Sequence, residues 1–174
     1  VAVDLTSGKN LVGAFWQPKK VYVDPEMLGT LAQNQWKSGL GEMVKYGAIK
    51  DRDLWEGFEK NVEILKKKPK EFLPSEWNIV GEMIEACIKI KAEIVMKDEK
   101  EENIRKILNY GHTFGHVIEL MSDYKVLHGE AIATGMKIAA ELAVKLRYMR
   151  EEELEKQNEL FKELWKEVNN AVGG

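Results

Sequence analysis

Hydrophobic positions follow two different periods along this chain. In the first 24 residues they fall in short runs at 1–5, 11–16 and 20–24. The runs are separated by Ser7-Gly8-Lys9-Asn10 and by Gln17-Pro18, which are turn-forming composition. Three strands this short bury no core of their own, because even a paired hairpin is marginal in water. The segment reads as the edge of a sheet whose main body lies elsewhere. From residue 25 onward the period is helical. Asp24-Pro25-Glu26 combines a cap, a proline at the first helical position and an early acid. Trp36, Leu40, Met43, Val44 and Ile49 mark a helix over 35–50, and Leu54, Trp55, Phe58, Val62 and Leu65 mark another over 51–66. The lysine-rich run 66–70 then reads as a solvated loop. Longer helices are predicted over 75–97, over 102–121, after His128, and over 150–170, the last with Leu154, Phe161, Leu164, Trp165 and Val168 as its apolar stripe. The class is mainly α with a short β edge, divided into 1–24 and a helical unit at 25–174.

Two stretches depart from ordinary helix composition. Gly111 and Gly115 fall inside the predicted 102–121 helix, where each glycine costs about 1 kcal/mol relative to alanine. Two such costs four residues apart imply a close approach to the backbone by a neighbouring helix or a ligand. The helix after His128 is rich in small residues, including Gly129, Ala131, Ala133, Gly135, Ala139, Ala140 and Ala143. That surface suits close helix contact and would carry His128 towards the preceding helix.

Composition narrows the class. With 174 residues, 44% hydrophobic, 32% charged and a formal net charge of -3, the chain has no basic excess that would favour a nucleic-acid partner. Cys87, the sole cysteine, lies in an apolar helical pattern and reads as a small core residue, so neither a disulfide framework nor a cysteine zinc motif is present. No apolar run reaches the roughly 18 residues of a membrane span, and no signal peptide is visible. A reduced cytoplasmic enzyme domain is the default expectation. The opening at Val1 and the close at Gly173-Gly174 read as cuts within a longer protein.

The chemistry concentrates in one window. All three histidines, His112, His116 and His128, fall within 109–130, and the first two share a helix face. Imidazole is both a metal ligand and a group that titrates near neutral pH, so metal or proton chemistry is expected there. One buried and two surface histidines is the alternative. A catalytic zinc takes three protein ligands and keeps one position open. Glu42, an acid in an apolar helix segment, is the candidate third ligand. Lys45, one turn on, offers a plain i,i+3 ion pair instead, and spacing alone leaves the two readings level.

Five ordered blocks carry a resemblance. They are Gly-Lys-Asn-Leu-Val-Gly-Ala-Phe-Trp-Gln-Pro at 8–18, Gly-Leu-Gly-Glu-Met-Val-Lys-Tyr-Gly at 39–47, Lys-Ala-Glu-Ile-Val at 91–95, Leu-Asn-Tyr-Gly-His-Thr-Phe-Gly-His at 108–116 and Leu-His-Gly-Glu-Ala at 127–131. In order and spacing they resemble the 3-dehydroquinate synthases, over about residues 1–145. The resemblance implies a multi-helix carboxy-terminal domain of that type, with Glu42, His112 and His128 holding zinc, or cobalt in its place. It implies His116 for proton transfer and substrate binding. Lys45, Lys91, Arg105, Asn109 and the pair Lys9-Asn10 match positions that hold substrate hydroxyl, carboxylate and phosphate groups, with Lys45 and Asn109 counted beside His116 in the catalytic set. The implied substrate, 3-deoxy-D-arabino-heptulosonate 7-phosphate, is a sugar phosphate whose anionic groups call for fixed cations. The family's reaction oxidises a hydroxyl transiently with NAD, eliminates phosphate, and closes a carbocycle by an aldol step in the shikimate pathway. The family is often dimeric, so a homodimer is the implied assembly.

The match has gaps. The family's Gly-Gly-Lys-Thr segment before Gly8-Lys9-Asn10 is absent, as is the Gly-rich loop of its nucleotide-binding domain. The expectation is a parent synthase of which these 174 residues are inactive alone. Sister cyclases making valiolone or inosose products alter the positions of Lys91, Asn109 and His116, and all three here have the dehydroquinate synthase identity. Alcohol and glycerol dehydrogenases resemble the ligand blocks poorly. A non-catalytic metal-binding or dimerisation module is the remaining alternative.

Overall fold

The computed structural model describes residues 2–6, 8–14 and 16–165. Among these, β1 (Ala2–Leu5) and β2 (Gly8–Gly13) form an antiparallel hairpin with Val3 opposite Val12 and Leu5 opposite Gly8, irregular between Val3 and Leu5. The third β-leaning run forms no strand. Val21, Tyr22 and Val23 are exposed and join neither strand of the hairpin. Asp24 does cap as expected, accepting from the Glu26 amide at 3.0 Å, but the helix it opens is a 3-10 segment, Pro25–Thr30.

Seven α-helices follow among the described residues. Helix α1 (Gln33–Lys50) buries Trp36, Leu40 and Val44 at four-residue spacing, and the Trp36 indole donates to the Leu65 carbonyl at 2.8 Å. The predicted 51–66 helix is in fact two, α2 (Arg52–Lys60) and α3 (Val62–Leu65). Asn61 makes the break: its side-chain amide donates to the Gly57 carbonyl at 2.8 Å, competing with the helical ladder. The lysine run is less solvated than its charge implies. Lys66 pairs with Glu63 and Glu163, Lys67 pairs with Glu76, and Pro69 is buried in a 3-10 turn. Helix α4 (Pro74–Lys97) starts on a proline, with the Glu76 carboxylate accepting from the Leu73 amide. Its inward face holds Val80, Met83, Cys87, Ile90 and Ile94, so Cys87 is the core residue its pattern indicated.

The predicted 102–121 helix is also broken. Asp98 accepts from the amides of Glu102, Asn103 and Arg105, tightening the chain into a 3-10 segment, Ile104–Asn109. Gly111 then takes φ +82°, a left-handed conformation that a side chain would strain, and α5 (His112–Met121) starts one residue later. Gly111 is therefore a turn, not a helix-interior glycine. Helix α6 (His128–Lys145) packs on α1, α5 and the closing helix α7 (Glu151–Leu164). Ile132 and Met136 of α6 are wholly buried at the centre of the core with Trp36, Phe58 and Leu164. The predicted end of the last helix, 166–170, with Val168, lies outside the described residues. No described helix is long and apolar enough to cross a membrane.

Candidate metal centre

Glycines create the site by letting α6 touch two other segments at backbone distance. A Cβ on Gly41 of α1 would lie 2.2 Å from the Gly129 carbonyl oxygen, and one on Gly129 would lie 1.7 Å from that of Ser38. The Gly129 amide also donates to the Ser38 hydroxyl at 2.9 Å. On the other side, a Cβ on Gly135 would lie 2.1 Å from the Gly111 carbonyl oxygen, and one on Gly115 would lie 2.6 Å from the Ile132 side chain. The close approach expected of Gly111 and Gly115 is thus a helix. Glu42 follows Gly41, His128 precedes Gly129 and His112 follows Gly111, so the two contacts bring three separate segments to one point.

There Glu42 Oε1 lies 3.5 Å from His112 Nε2 and 3.5 Å from His128 Nε2. These distances are too long for good hydrogen bonds, and Oε1 is buried without a hydrogen-bond partner. The other oxygen, Oε2, accepts from Lys45 Nζ at 2.7 Å, and Lys45 is only 2% exposed. The ion pair and the converging carboxylate therefore coexist on the two oxygens of one group. Each histidine is held from behind. His112 Nδ1 faces the Tyr110 carbonyl at 3.3 Å, and His128 Nδ1 faces Glu119 Oε2 at 3.1 Å. An acceptor at Nδ1 keeps the proton there and leaves the Nε2 lone pair pointing at the shared centre. His116 stands beside them, its ring 5.3 Å from that of His112 and 6.0 Å from that of His128.

The electrostatics follow from this crowding. Burial pushes the Glu42 carboxyl up, but the His128 imidazole, the Lys45 ammonium and His112 outweigh it and hold Glu42 at about 2. Burial lowers the affinity of Lys45 for its proton, Glu42 restores part of it, and nearby Lys91 lowers it further. Burial, then Lys45, depress His112 below its ordinary value, so it stays neutral at pH 7. Contact with Glu42 raises His128, against burial, with Glu119 adding to the rise. An ionised carboxylate and imidazole nitrogens within 4.8 Å of one another suit a divalent ion such as zinc, which takes three such ligands in catalytic sites. The orphaned Glu42 Oε1 is the atom such an ion would satisfy, so the residues fit the group.

The other predicted residues divide. Lys91, on α4, is exposed and near enough to Lys45 to influence it. Arg105 and Asn109 meet each other at Glu101: Asn109 Nδ2 donates to Oε1 at 2.7 Å and Arg105 Nε is 3.8 Å from Oε2, with Arg105 Nη1 donating to the Glu99 carbonyl at 2.6 Å. Both precede His112 on the 3-10 segment. Lys9 and Asn10 are in β2, with side chains outside the described set. Glu119 is the residue the sequence reading missed. It sits three residues after His116 in the apolar run Val117-Ile118-Glu119-Leu120-Met121. An acid in an apolar stretch is the signal that singled out Glu42, and it was available here too.

The profile for the carboxy-terminal region of 3-dehydroquinate synthase matches residues 39–171, and the one for its amino-terminal region matches 1–38. The chain belongs to the 3-dehydroquinate synthase family. Its curated relatives include the 3-dehydroquinate synthase of Prochlorococcus marinus strain MIT 9312, 45% identical over 161 residues covering 92% of this chain and 43% of that protein. That of Caldanaerobacter subterraneus subsp. tengcongensis is 46% identical over 93% of this chain and 44% of its own length. The chain thus spans less than half the length of these family members. Among solved structures, a 2-deoxy-scyllo-inosose synthase complexed with carbaglucose-6-phosphate, NAD+ and Co2+ superposes with a TM-score of 0.75 at 34% identity, over 93% of this chain and 43% of the other. A 2-epi-5-epi-valiolone synthase from Streptomyces hygroscopicus subsp. jinggangensis 5008, bound to NAD+ and Zn2+, shares the fold at a TM-score of 0.80 and 22% identity, over 94% of this chain and 44% of that one.

Proposed function

We propose that this chain is the metal-holding and part of the substrate-binding portion of a cytoplasmic 3-dehydroquinate synthase, which converts 3-deoxy-D-arabino-heptulosonate 7-phosphate to 3-dehydroquinate with loss of phosphate. The observation that carries the reading is the buried, partnerless Glu42 Oε1 facing two imidazole nitrogens in a chain of this family. In this reading residues 1–24 are the junction to a nucleotide-binding domain and 25–174 the helical unit. Glu42, His112 and His128 hold zinc, with cobalt as a substitute the same donors accept. When bound, such an ion acidifies a hydroxyl coordinated to it.

The chain's own residues do the rest. Lys45 anchors Glu42 through Oε2 and so aims Oε1 at the histidines. His116, exposed beside the cluster, is the base that takes the proton of a substrate hydroxyl. Arg105 and Asn109, held at Glu101, exchange that contact for the anionic groups of the substrate, and Lys91, Lys9 and Asn10 add to their recognition. No residue of this chain is assigned to NAD, and the 174 residues alone are expected to be inactive. The test is incubation of the parent protein with the heptulosonate phosphate and NAD. Release of inorganic phosphate with 3-dehydroquinate supports the reading. Turnover of a different sugar phosphate to a valiolone or inosose product contradicts it and favours a sister cyclase.

A further inference from the structure

We infer that Glu119 is a positioning residue for the metal centre, acting through His128; this rests on the metal reading above. Glu119 is 3% exposed, on the α5 face that also carries His112 and His116. A carboxylate so buried is costly without a partner, and Oε2 finds one in His128 Nδ1 at 3.1 Å. The His128 side chain is itself 43% exposed and sits at the first position of α6, where packing alone would leave its ring free to turn. The contact with Glu119 fixes that ring, holds the proton on Nδ1, and presents Nε2 towards Glu42 Oε1. The negative charge behind the ring also makes Nε2 a stronger donor.

The backbone around Glu119 supports the same role. Its carbonyl accepts from the Tyr124 amide at 2.8 Å and from the Ser122 hydroxyl at 2.9 Å. Asp123 and Tyr124 both have positive φ, so the turn that leads the chain back to His128 closes on Glu119 itself. One alternative role is built from the same atoms: His116, Glu119 and His128 also offer ligand atoms within 4.8 Å of one another. That set shares His128 with the Glu42 set, and the orphaned buried oxygen that would await an ion is on Glu42, not on Glu119.

The experiment is zinc binding by chelator competition, with the visible spectrum of the Co2+-loaded protein, on wild type, Glu119→Ala and Glu119→Gln. Metal-free unfolding midpoints are recorded for all three. The wild type is expected to bind one equivalent. Glu119→Ala should still bind one, roughly 10–100-fold more weakly and with an altered Co2+ spectrum. Glu119→Gln, which keeps an acceptor but not the charge, should fall between wild type and Glu119→Ala. Should Glu119→Ala fail to fold, Glu119→Gln decides, and affinity and spectrum equal to wild type overturn the inference. So does a second wild-type equivalent that Glu119→Ala alone abolishes, since Glu119 would then be a ligand. No metal in the wild type overturns the metal reading as well, and is thereby told apart from a failure of Glu119 alone.

Discussion

Replacing Gly41 by alanine places a methyl carbon 2.2 Å from the Gly129 carbonyl oxygen and 2.9 Å from its Cα. Ordinary contact begins at 3.4 Å, so α1 and the start of α6 must part by about 1 Å, and the obstacle is backbone, with no flexible side chain to yield. Overpacking of this kind costs about 1–3 kcal/mol, and a rigid obstacle puts Gly41 near the upper end. Alanine returns about 1 kcal/mol of helix propensity. The net is about 2 kcal/mol of destabilisation, or about 4–8 °C in Tm at this chain length. Gly39, two residues earlier in the same helix, is exposed with nothing within 4 Å of its would-be Cβ. Gly39→Ala should therefore stabilise by about 1 kcal/mol, or about 2–4 °C. Thermal unfolding of the two metal-free variants beside wild type reads the difference. The two substitutions move Tm in opposite directions if the backbone contact is real. A Gly41→Ala variant as stable as Gly39→Ala would refute the close approach that sets Glu42 against His128.

The thiol and the charged groups of the site give further outcomes. Burial pushes the Cys87 thiol up to about 12, so the native chain at pH 8 should leave a thiol reagent unconsumed until denaturant is added; stoichiometric labelling of the folded chain would contradict its place in the core. In the metal-free chain, NMR titration should find His128 changing charge above the ordinary 6.5 and His112 below it. His128 therefore lends the metal-free fold stability that is full below 6.5 and lost as the pH rises through its folded value. Coincident titration of the two rings would contradict the Glu42 contact. Glu42, held at about 2, works the other way, lending stability present above 4.5 and lost as the pH falls towards 2.

Much of the helical architecture was legible because apolar positions repeat cleanly, as at Trp36, Leu40 and Val44, and because Asp24-Pro25 marks where the helical part begins. The breaks at Asn61 and Gly111 were not. Each turns on one residue choosing a side-chain bond or a left-handed backbone over the helix, and periodicity does not register that choice. The third β-leaning run forms no strand and stays exposed, since strand propensity alone does not pair a segment with an edge. At the site, three histidines in one window and an acid in an apolar segment marked metal or proton chemistry, and the family resemblance assigned Glu42, His112 and His128 to the metal. Glu119 carried the same mark as Glu42 but was hidden by its place among the histidines. Lys91, Arg105 and Asn109 look like ordinary helix-surface residues. Only the family resemblance singles them out, and their own contacts, such as Asn109 with Glu101, give no sign of an anion site.

In the proposed function, Glu42, His112 and His128 form one metal site within this chain. Its most direct test is the zinc content of the purified chain after loading and dialysis, compared with Glu42→Ala and His128→Ala variants of unchanged helical content. Close to one equivalent is expected in the wild type, and its loss in both variants. A wild type that holds no zinc, or a Glu42→Ala variant that keeps its full equivalent, would contradict it.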